Sequence, residues 1–261
     1  ALLGIPDEAA MPIRVVMIMS MVWVLVFSLP MLLRVPESKG TGGVKPSFVS
    51  SYKKLFKDLA GMRKNNPELL KFLIASAVYR DGLNGVFAYG AVLGGLAFGL
   101  GLTEIIIFGI GANILAGVGA FVSSFFEDRY GSKKIILISL AGVMVGGIGV
   151  FVFFFAGWGV WAYFIFGLFL TLFVGPAQAG SRTLMSRLSH DDRQGEAFGL
   201  FATTGRAVSF LAPAAWAFFV WAFSPIWGIL GLISIILVGF ALLLTVRVSA
   251  FVMPDNSQSA S

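Results

Sequence analysis

The order of hydrophobic and polar residues divides the chain into seven apolar stretches, separated by short polar turns and one long polar segment. A bilayer core about 30 Å thick is crossed by about 20 helical residues, and each stretch is long enough to do so. The pattern therefore predicts an all-α, polytopic membrane protein with about seven transmembrane helices. The predicted spans are approximately Met11–Leu33, Glu68–Phe98, Thr103–Phe126, Ile135–Phe155, Val160–Ala179, Ala197–Phe223 and Pro225–Val246.

The long polar segment between the first two spans covers residues 35–66. It starts with a flexible stretch rich in Gly, Ser and Thr, after which apolar residues recur at helical spacing opposite Lys53, Lys54 and Lys57. This pattern predicts a basic amphipathic helix, which either lies along the membrane surface or docks on the neighbouring loops. Asn66 and Pro67 then have the identities of a helix cap and a first helical residue, so the second span starts there.

Composition agrees with this pattern. Of the 261 residues, 57% are hydrophobic and only 12% are charged, whereas soluble proteins carry roughly 25% charged residues. The mean hydropathy is +0.89. The chain contains no cysteine, which excludes disulfides, thiolate catalysis and cysteine-ligated metals.

The distribution of cationic residues predicts the orientation of the spans. The charged turn Phe125–Lys134 must face water, and if it lies inside, alternation also puts Arg34–Lys71, Arg182–Arg193 and the tail inside. Those segments then hold sixteen of the nineteen Lys and Arg residues. This is the excess expected of inner loops, so the net charge of +6 does not call for a nucleic-acid partner.

The charged turn resembles the signature loop of the major facilitator superfamily, roughly Gly-x-x-x-Asp-Arg-x-Gly-Arg-Lys. Asp128, Arg129, Gly131 and Lys133 match that loop by position. Ser124 replaces the usual first glycine, and Ser132 stands where one of the basic residues is expected. The resemblance implies a secondary active transporter, with nested three-helix repeats formed by the second to fourth and the fifth to seventh spans.

Several further stretches resemble one branch of that superfamily, the vacuole-effluxer-like (autophagy-related) permeases. They are Tyr79–Gly82, Gly175–Arg182, Phe198–Leu200, Gly205–Arg206 and Ser209–Pro213, and the likeness extends from about Pro67 to Arg247. Eukaryotic members of the branch are associated with amino-acid export from the vacuole. The resemblance therefore implies transport of a small solute such as an amino acid, across the cell (inner) membrane or, in a eukaryote, the vacuolar membrane.

The resemblance also implies how the chain is divided. Residues 1–34 are expected to be the last helix of an N-terminal half, 35–66 a cytoplasmic interdomain loop, 67–250 a six-helix C-terminal bundle and 251–261 a disordered tail. Since the chain starts at Ala1 rather than Met, we expect it to belong to a longer polypeptide. The expected partners are the solute, the lipid bilayer and the missing N-terminal half.

Candidate substrate-binding residues are polar groups inside the predicted spans. A charge at the bilayer centre costs several kcal/mol, so such residues usually have a function. Arg80 lies about 18 Å along the second span, Asp81 follows it, and Asn84 lies within one turn of both. Arg206 lies inside the sixth span, and Gln178 follows the Gly175-Pro176 pair, which is expected to break or bend the fifth.

Two interpretations of these residues remain open at this stage. In the first, Arg80 and Arg206 bind an anionic or zwitterionic solute, and Asp81 is either a partner of one arginine or a proton carrier. In the second, Asp81 and Arg206 form a buried ion pair that only fixes helix packing. Gln178 likewise either lines the pathway or supports a kink.

The charged turn Phe125–Lys134, called the signature turn from here on, also has two interpretations. Asp128, Arg129, Gly131, Lys133 and Lys134 either act as a gate, through contacts made and broken across the inner surface, or form a solvated turn. As a gate, Asp128 would accept from an arginine or a helix N-terminus, and the cations would contact acidic groups or lipid headgroups.

Other classes of protein fit the sequence less well. The single histidine, His190, lies in a predicted loop, no cluster of metal ligands appears, and no nucleotide-binding glycine loop is present. No enzyme activity, cofactor or metal is therefore predicted. The alternative function is a non-transporting seven-helix membrane protein, either a channel or a receptor-like protein.

Overall fold

The computed structural model describes residues 11–34, 66–189 and 194–247. The amphipathic helix predicted within 35–66 and the tail at 251–261 lie outside these ranges, apart from Asn66. The described helices are α1 (Met11–Arg34), α2 (Pro67–Phe98), α3 (Leu102–Tyr130), α4 (Ser132–Phe155), α5 (Val160–Leu188), α6 (Gln194–Ala207), α7 (Leu211–Ala222) and α8 (Gly228–Leu244), with a 3-10 turn at Pro225–Trp227.

Six of the described helical segments are long and apolar enough to cross a membrane, counting α6 and α7 together as one. The remaining predicted span is the second, α2. It has 32 residues but is more polar, since Arg80, Asp81 and Asn84 lie in its middle. The prediction of an all-α, multi-pass membrane protein is confirmed. The helix α1 belongs to a separate compact unit, Ala1–Ser51, and the other helices belong to the unit Tyr52–Ser261.

The second unit is a bundle in which α2 and α5 have the most partners. The helix α5 packs against α3, α4 and α2, while α2 also packs against α8, α6 and α7. The core between these helices contains fully buried side chains, among them Tyr79, Leu83, Ile136, Leu184 and Ile236. The helix α2 begins as predicted, because the Asn66 side chain accepts a hydrogen bond from the Leu69 N–H at 3.2 Å.

The fifth span is longer than predicted and is not broken at Gly175-Pro176. The helix α5 continues through Pro176 to Leu188, nine residues beyond the predicted end at Ala179. Proline lacks an N–H, so the carbonyl of Leu172, four residues earlier, loses its helical hydrogen bond. In a membrane such a carbonyl needs another partner.

Glycines supply that partner where α3 crosses α5. A Cβ built on Gly119 would lie 1.9 Å from the Leu172 carbonyl oxygen, so the Cα–H of Gly119 points at the freed carbonyl. The contact is reciprocal, since a Cβ on Gly175 would lie 1.9 Å from the Ala116 carbonyl oxygen. Only glycine fits at these two positions, and the two backbones meet directly.

The sequence contains three Gly-x-x-x-Gly spacings, Gly90–Gly94, Gly95–Gly99 and Gly142–Gly146, which are most often close helix contacts, and the structure agrees with them only in part. In α4, Gly142 and Gly146 pack tightly against Phe173 and Leu170 of α5, as a close helix contact requires. By contrast, Gly90 and Gly99 have no atom within 4 Å of an added Cβ.

We predict that Gly175→Ala destabilises the bundle by about 1–3 kcal/mol, because its methyl group would overlap the Ala116 carbonyl. Thermal unfolding of the purified protein in detergent measures the effect. Gly117→Ala is the matched control: Gly117 lies in the middle of α3 with no atom near an added Cβ, so helix propensity alone should make it neutral or stabilising. Equal losses from both variants would contradict the direct contact.

Candidate substrate-binding site

The sixth predicted span is interrupted in its middle. Instead of one helix over Ala197–Phe223, α6 ends at Ala207 and α7 begins at Leu211. Pro213 explains the position of the break. In a continuous helix its ring would clash with the carbonyl of Ser209, whereas in the first turn of a new helix proline is tolerated.

Several backbone N–H groups at the break have partners within the span itself. The Leu211 N–H donates to the Val208 carbonyl at 3.0 Å, and the Ala214 N–H donates to the Phe210 carbonyl at 3.0 Å. Pro213 has no N–H, and the acceptor of the Ala212 N–H comes from another helix. This N–H donates to the Asp81 carboxylate, with an Ala212 N to Asp81 Oδ2 distance of 2.7 Å.

Asp81 is therefore the cap of α7 and not the partner of an arginine. Its side chain is buried, and its negative charge lies at the helix end where the backbone dipole is positive. The second interpretation, an ion pair between Asp81 and Arg206, does not occur here: the ion pairs among the described residues are Lys71–Glu68 and Arg187–Asp128. The physical reason is that the break in the sixth span offers Asp81 an amide donor.

Arg80, the neighbour of Asp81 on α2, lies against α6 on the other side of the break. Its guanidinium carbon is 3.9 Å from the centroid of the Phe201 ring, and its Nη1 donates to the Phe201 carbonyl at 3.3 Å. A Cβ on Gly205 would lie 3.5 Å from the same Nη1. Arg80 is half-buried, and these contacts hold it without a carboxylate.

A third arginine, which the sequence did not single out, lies near Arg80. The Tyr79 hydroxyl and Ser181 Oγ are 2.6 Å apart in the buried core, which fixes α2 beside α5 at this level. Ser181 Oγ donates to the Ala177 carbonyl, so the Tyr79 hydroxyl is the donor between them. Arg182, which follows Ser181, lies within electrostatic reach of Arg80. The sequence placed Arg182 in a loop, because the fifth span was expected to end at Ala179.

The remaining predicted residues lie on the surface of the bundle around this point. Asn84 is exposed one turn after Arg80, and Arg206 is exposed at the end of α6. Gln178 is half-buried one turn before Arg182, so the two share a face of α5. The structure thus brings Arg80 and Asp81 together at the break, while Asn84, Gln178 and Arg206 make no side-chain contact with them within hydrogen-bond distance.

Two cavities in the bundle lie away from these residues. One, of about 90 Å³, is surrounded by aromatic and aliphatic side chains, among them Tyr89, Phe108, Tyr163 and Trp216, with Thr171 as a polar group. The other, of about 450 Å³, is an apolar groove between α3, α4 and α5. Neither of these two cavities is lined by the predicted substrate-binding residues.

The signature turn joins α3 to α4 through a single residue, Gly131, whose φ of 81° favours glycine. Lys133 Nζ donates to the carbonyls of Leu244 at 3.1 Å and Val246 at 2.6 Å, and thereby caps the end of α8. Asp128 Oδ1 is 3.7 Å from Arg187 Nη2 at the end of α5. That ion pair is largely exposed and contributes little to stability.

These features define a multi-pass helical membrane protein with a cation-rich polar face beside a broken span. Residues 3–250 match the model of the family described as "Vacuole effluxer Atg22 like", which covers nearly the whole chain. The chain belongs to this family, whose members are permeases of the major facilitator type, and the resemblance drawn from the sequence is confirmed. At the level of the family the protein is a transporter and not an enzyme. No curated protein matches the sequence at a significant level.

We predict that Asp81→Ala destabilises the bundle by about 1–3 kcal/mol, because the buried Ala212 N–H loses its acceptor. Asp81→Asn keeps an acceptor oxygen and should retain most of the stability. Thermal unfolding in detergent compares the two variants, with the exposed Asp128→Ala as the control. If Asp81→Asn unfolded as easily as Asp81→Ala, the role of Asp81 as a helix cap would be wrong.

Proposed function

We propose that the protein is a secondary active transporter that moves a small anionic or zwitterionic solute, such as an amino acid, by alternating access. Family membership supports a transporter. The observation that carries the choice of solute is the use of Asp81 as the cap of α7. Because the only acidic residue near the break is already occupied, the arginines around it have no carboxylate partner within the described ranges.

The unpaired positive charges belong to three arginines around the break. Arg80 of α2 lies against α6, Arg182 of α5 is within electrostatic reach of it, and Arg206 follows Gly205, where an added Cβ would lie 3.5 Å from Arg80 Nη1. A carboxylate or another anion is the group that such guanidinium side chains bind best, because they donate several hydrogen bonds in a fixed plane. In this proposal Arg80 and Arg182 bind the acidic group, and Arg206 attracts it towards the site.

Asn84 and Gln178 have a second role in the proposal. Both are amides, Asn84 is exposed and Gln178 is half-buried, and neither side chain makes a hydrogen bond among the described residues. Amides donate and accept, so they suit the neutral or positive end of a zwitterion. The capping bond of Asp81 supports a structural role for this residue over that of a proton carrier.

Alternating access requires a second wall that faces these residues. We propose that the chain is the C-terminal half of its transporter, with α1 as the last helix of the N-terminal half and the binding face turned towards that half. The exposed Asp128–Arg187 pair and the free cations of the signature turn suit contacts that form and break during the transport cycle. The cell membrane, or the vacuolar membrane in a eukaryote, is the proposed location.

Transport by the full-length polypeptide in proteoliposomes tests this function. A carrier should show saturable uptake of an amino acid from a panel and should exchange labelled for unlabelled solute in counterflow. Flux that rises linearly with concentration and shows no counterflow would instead indicate a channel.

We predict that Arg80→Ala lowers kcat/KM for the transported solute roughly 10- to 150-fold, the cost of one charge-assisted hydrogen bond. Arg80→Lys keeps the charge but loses the planar contact with Phe201, so it should have an intermediate effect. Lys71→Ala is the control, since Lys71 pairs with Glu68 at the exposed start of α2. Unchanged transport by a stably folded Arg80→Ala variant would reject the proposed site.

A further inference from the structure

The apolar groove between α3, α4 and α5 is open towards the outside of the bundle. The side chains of Val122, Phe126, Tyr130 and Ile138, which line it, are about half exposed, with values between 46% and 59%. The groove continues inwards along Leu172, Phe173 and Pro176 of α5. In a membrane-spanning bundle this surface faces hydrocarbon, so its occupant must be apolar.

The length of the groove matches one leaflet of the bilayer. Along α3 it extends from Gly119 to Tyr130, which is about 16 Å at the helical rise of 1.5 Å per residue. Half of a hydrocarbon core is about 15 Å thick. The groove also reaches the end of α3 that carries the signature turn, where the polar boundary of the membrane is expected.

Two cations lie at this end of the groove. The guanidinium carbon of Arg129 is 5.8 Å from the centroid of the Tyr130 ring, and Tyr130 lines the groove. Lys134 is exposed one helical turn before Ile138, on the same face of α4. An elongated apolar groove thus ends between two positively charged side chains.

The other charged residues of the turn are engaged elsewhere. Lys133 caps α8, and Asp128 lies beside Arg187. One carboxylate oxygen of Glu127 is buried, so this acid is turned towards the bundle. Within the described ranges, Arg129 and Lys134 form no ion pair, so neither charge is neutralised by a described carboxylate.

We propose that this groove binds an anionic glycerophospholipid, with one acyl chain along α3 and the phosphate between Arg129 and Lys134. Three features favour an anionic lipid over other ligands: the apolar lining of the groove, its length of about one leaflet, and the cations at its end. A zwitterionic lipid offers the same chain but no net charge, and a free phosphate offers the charge but no chain. The site therefore requires both parts of the ligand in one molecule.

Binding of defined lipids to the purified full-length protein in detergent tests the proposal. Dioleoylphosphatidylglycerol should bind about 20-fold more tightly than dioleoylphosphatidylcholine, since each cation near the headgroup contributes about fivefold. Native mass spectrometry and the shift in Tm during a lipid titration both report this difference. Equal affinity for the two lipids, or equal stabilisation by sn-glycerol 3-phosphate alone, would overturn the proposal.

Matched variants separate the two parts of the site. Lys134→Gln should weaken phosphatidylglycerol binding about fivefold and leave phosphatidylcholine binding unchanged, whereas Lys71→Gln should alter neither. Ser123 lines the groove and Ser124 does not, although each serine donates to a carbonyl three residues earlier in α3. Ser123→Leu should therefore weaken both lipids on the order of tenfold by filling the groove, and Ser124→Leu should not.

Measurements on the same variants can also contradict the proposed lipid site. If Lys71→Gln weakened phosphatidylglycerol binding as much as Lys134→Gln, a diffuse surface charge would explain the preference and the site would be rejected. If Ser124→Leu acted like Ser123→Leu, the acyl chain would not lie in this groove. Lys134 is exposed, so its variant remains informative even if the serine substitutions disturb folding.

Discussion

The requirement that every backbone polar group in a membrane finds a partner determines how this bundle is arranged around its broken span. The sixth span stops and starts again at Pro213, and the Ala212 N–H of the new helix finds its acceptor outside this span. Asp81, from another helix, supplies the acceptor at 2.7 Å. Its neighbour Arg80 donates to a carbonyl of the preceding helix. Adjacent opposite charges on α2 thus contact the two helices on either side of the break.

This arrangement links the structural role of one residue to the chemistry of the others. A carboxylate that paired with an arginine would remove one of the positive charges around the break, whereas a carboxylate that caps a helix leaves all of the arginines available. The same division holds at the signature turn, where Lys133 is bound to α8 and Arg129 and Lys134 remain free among the described residues. At the break and at the signature turn alike, one charged residue stabilises the fold and its charged neighbours are available to bind a ligand.

Much of the fold could be predicted from the sequence, because its signals are local. Examples are the start of α2 at Asn66–Pro67, the span Ile135–Phe155 and the signature turn. The break at residues 208–210 was not predicted, because the whole stretch is long and apolar enough to count as one span, although Pro213 was visible. The partner of Asp81 could not be predicted, since the Ala212 amide lies 131 residues away and becomes a donor only when the helix stops. Arg182 was missed because a cluster of polar residues suggested a loop, while Ala177, Ser181 and Met185, all buried, continue the helical spacing of α5.

The crossing of α3 and α5 has a mechanical consequence for the whole bundle. At Gly119 and Gly175 the two backbones touch without side chains between them, and each contact involves a carbonyl of the other helix. No rotamer change can absorb a displacement there, so the two helices cannot slide past each other. Asp128 and Arg187 lie at the ends of these same two helices, so the crossing limits how far their side chains can be separated by sliding of α3 along α5.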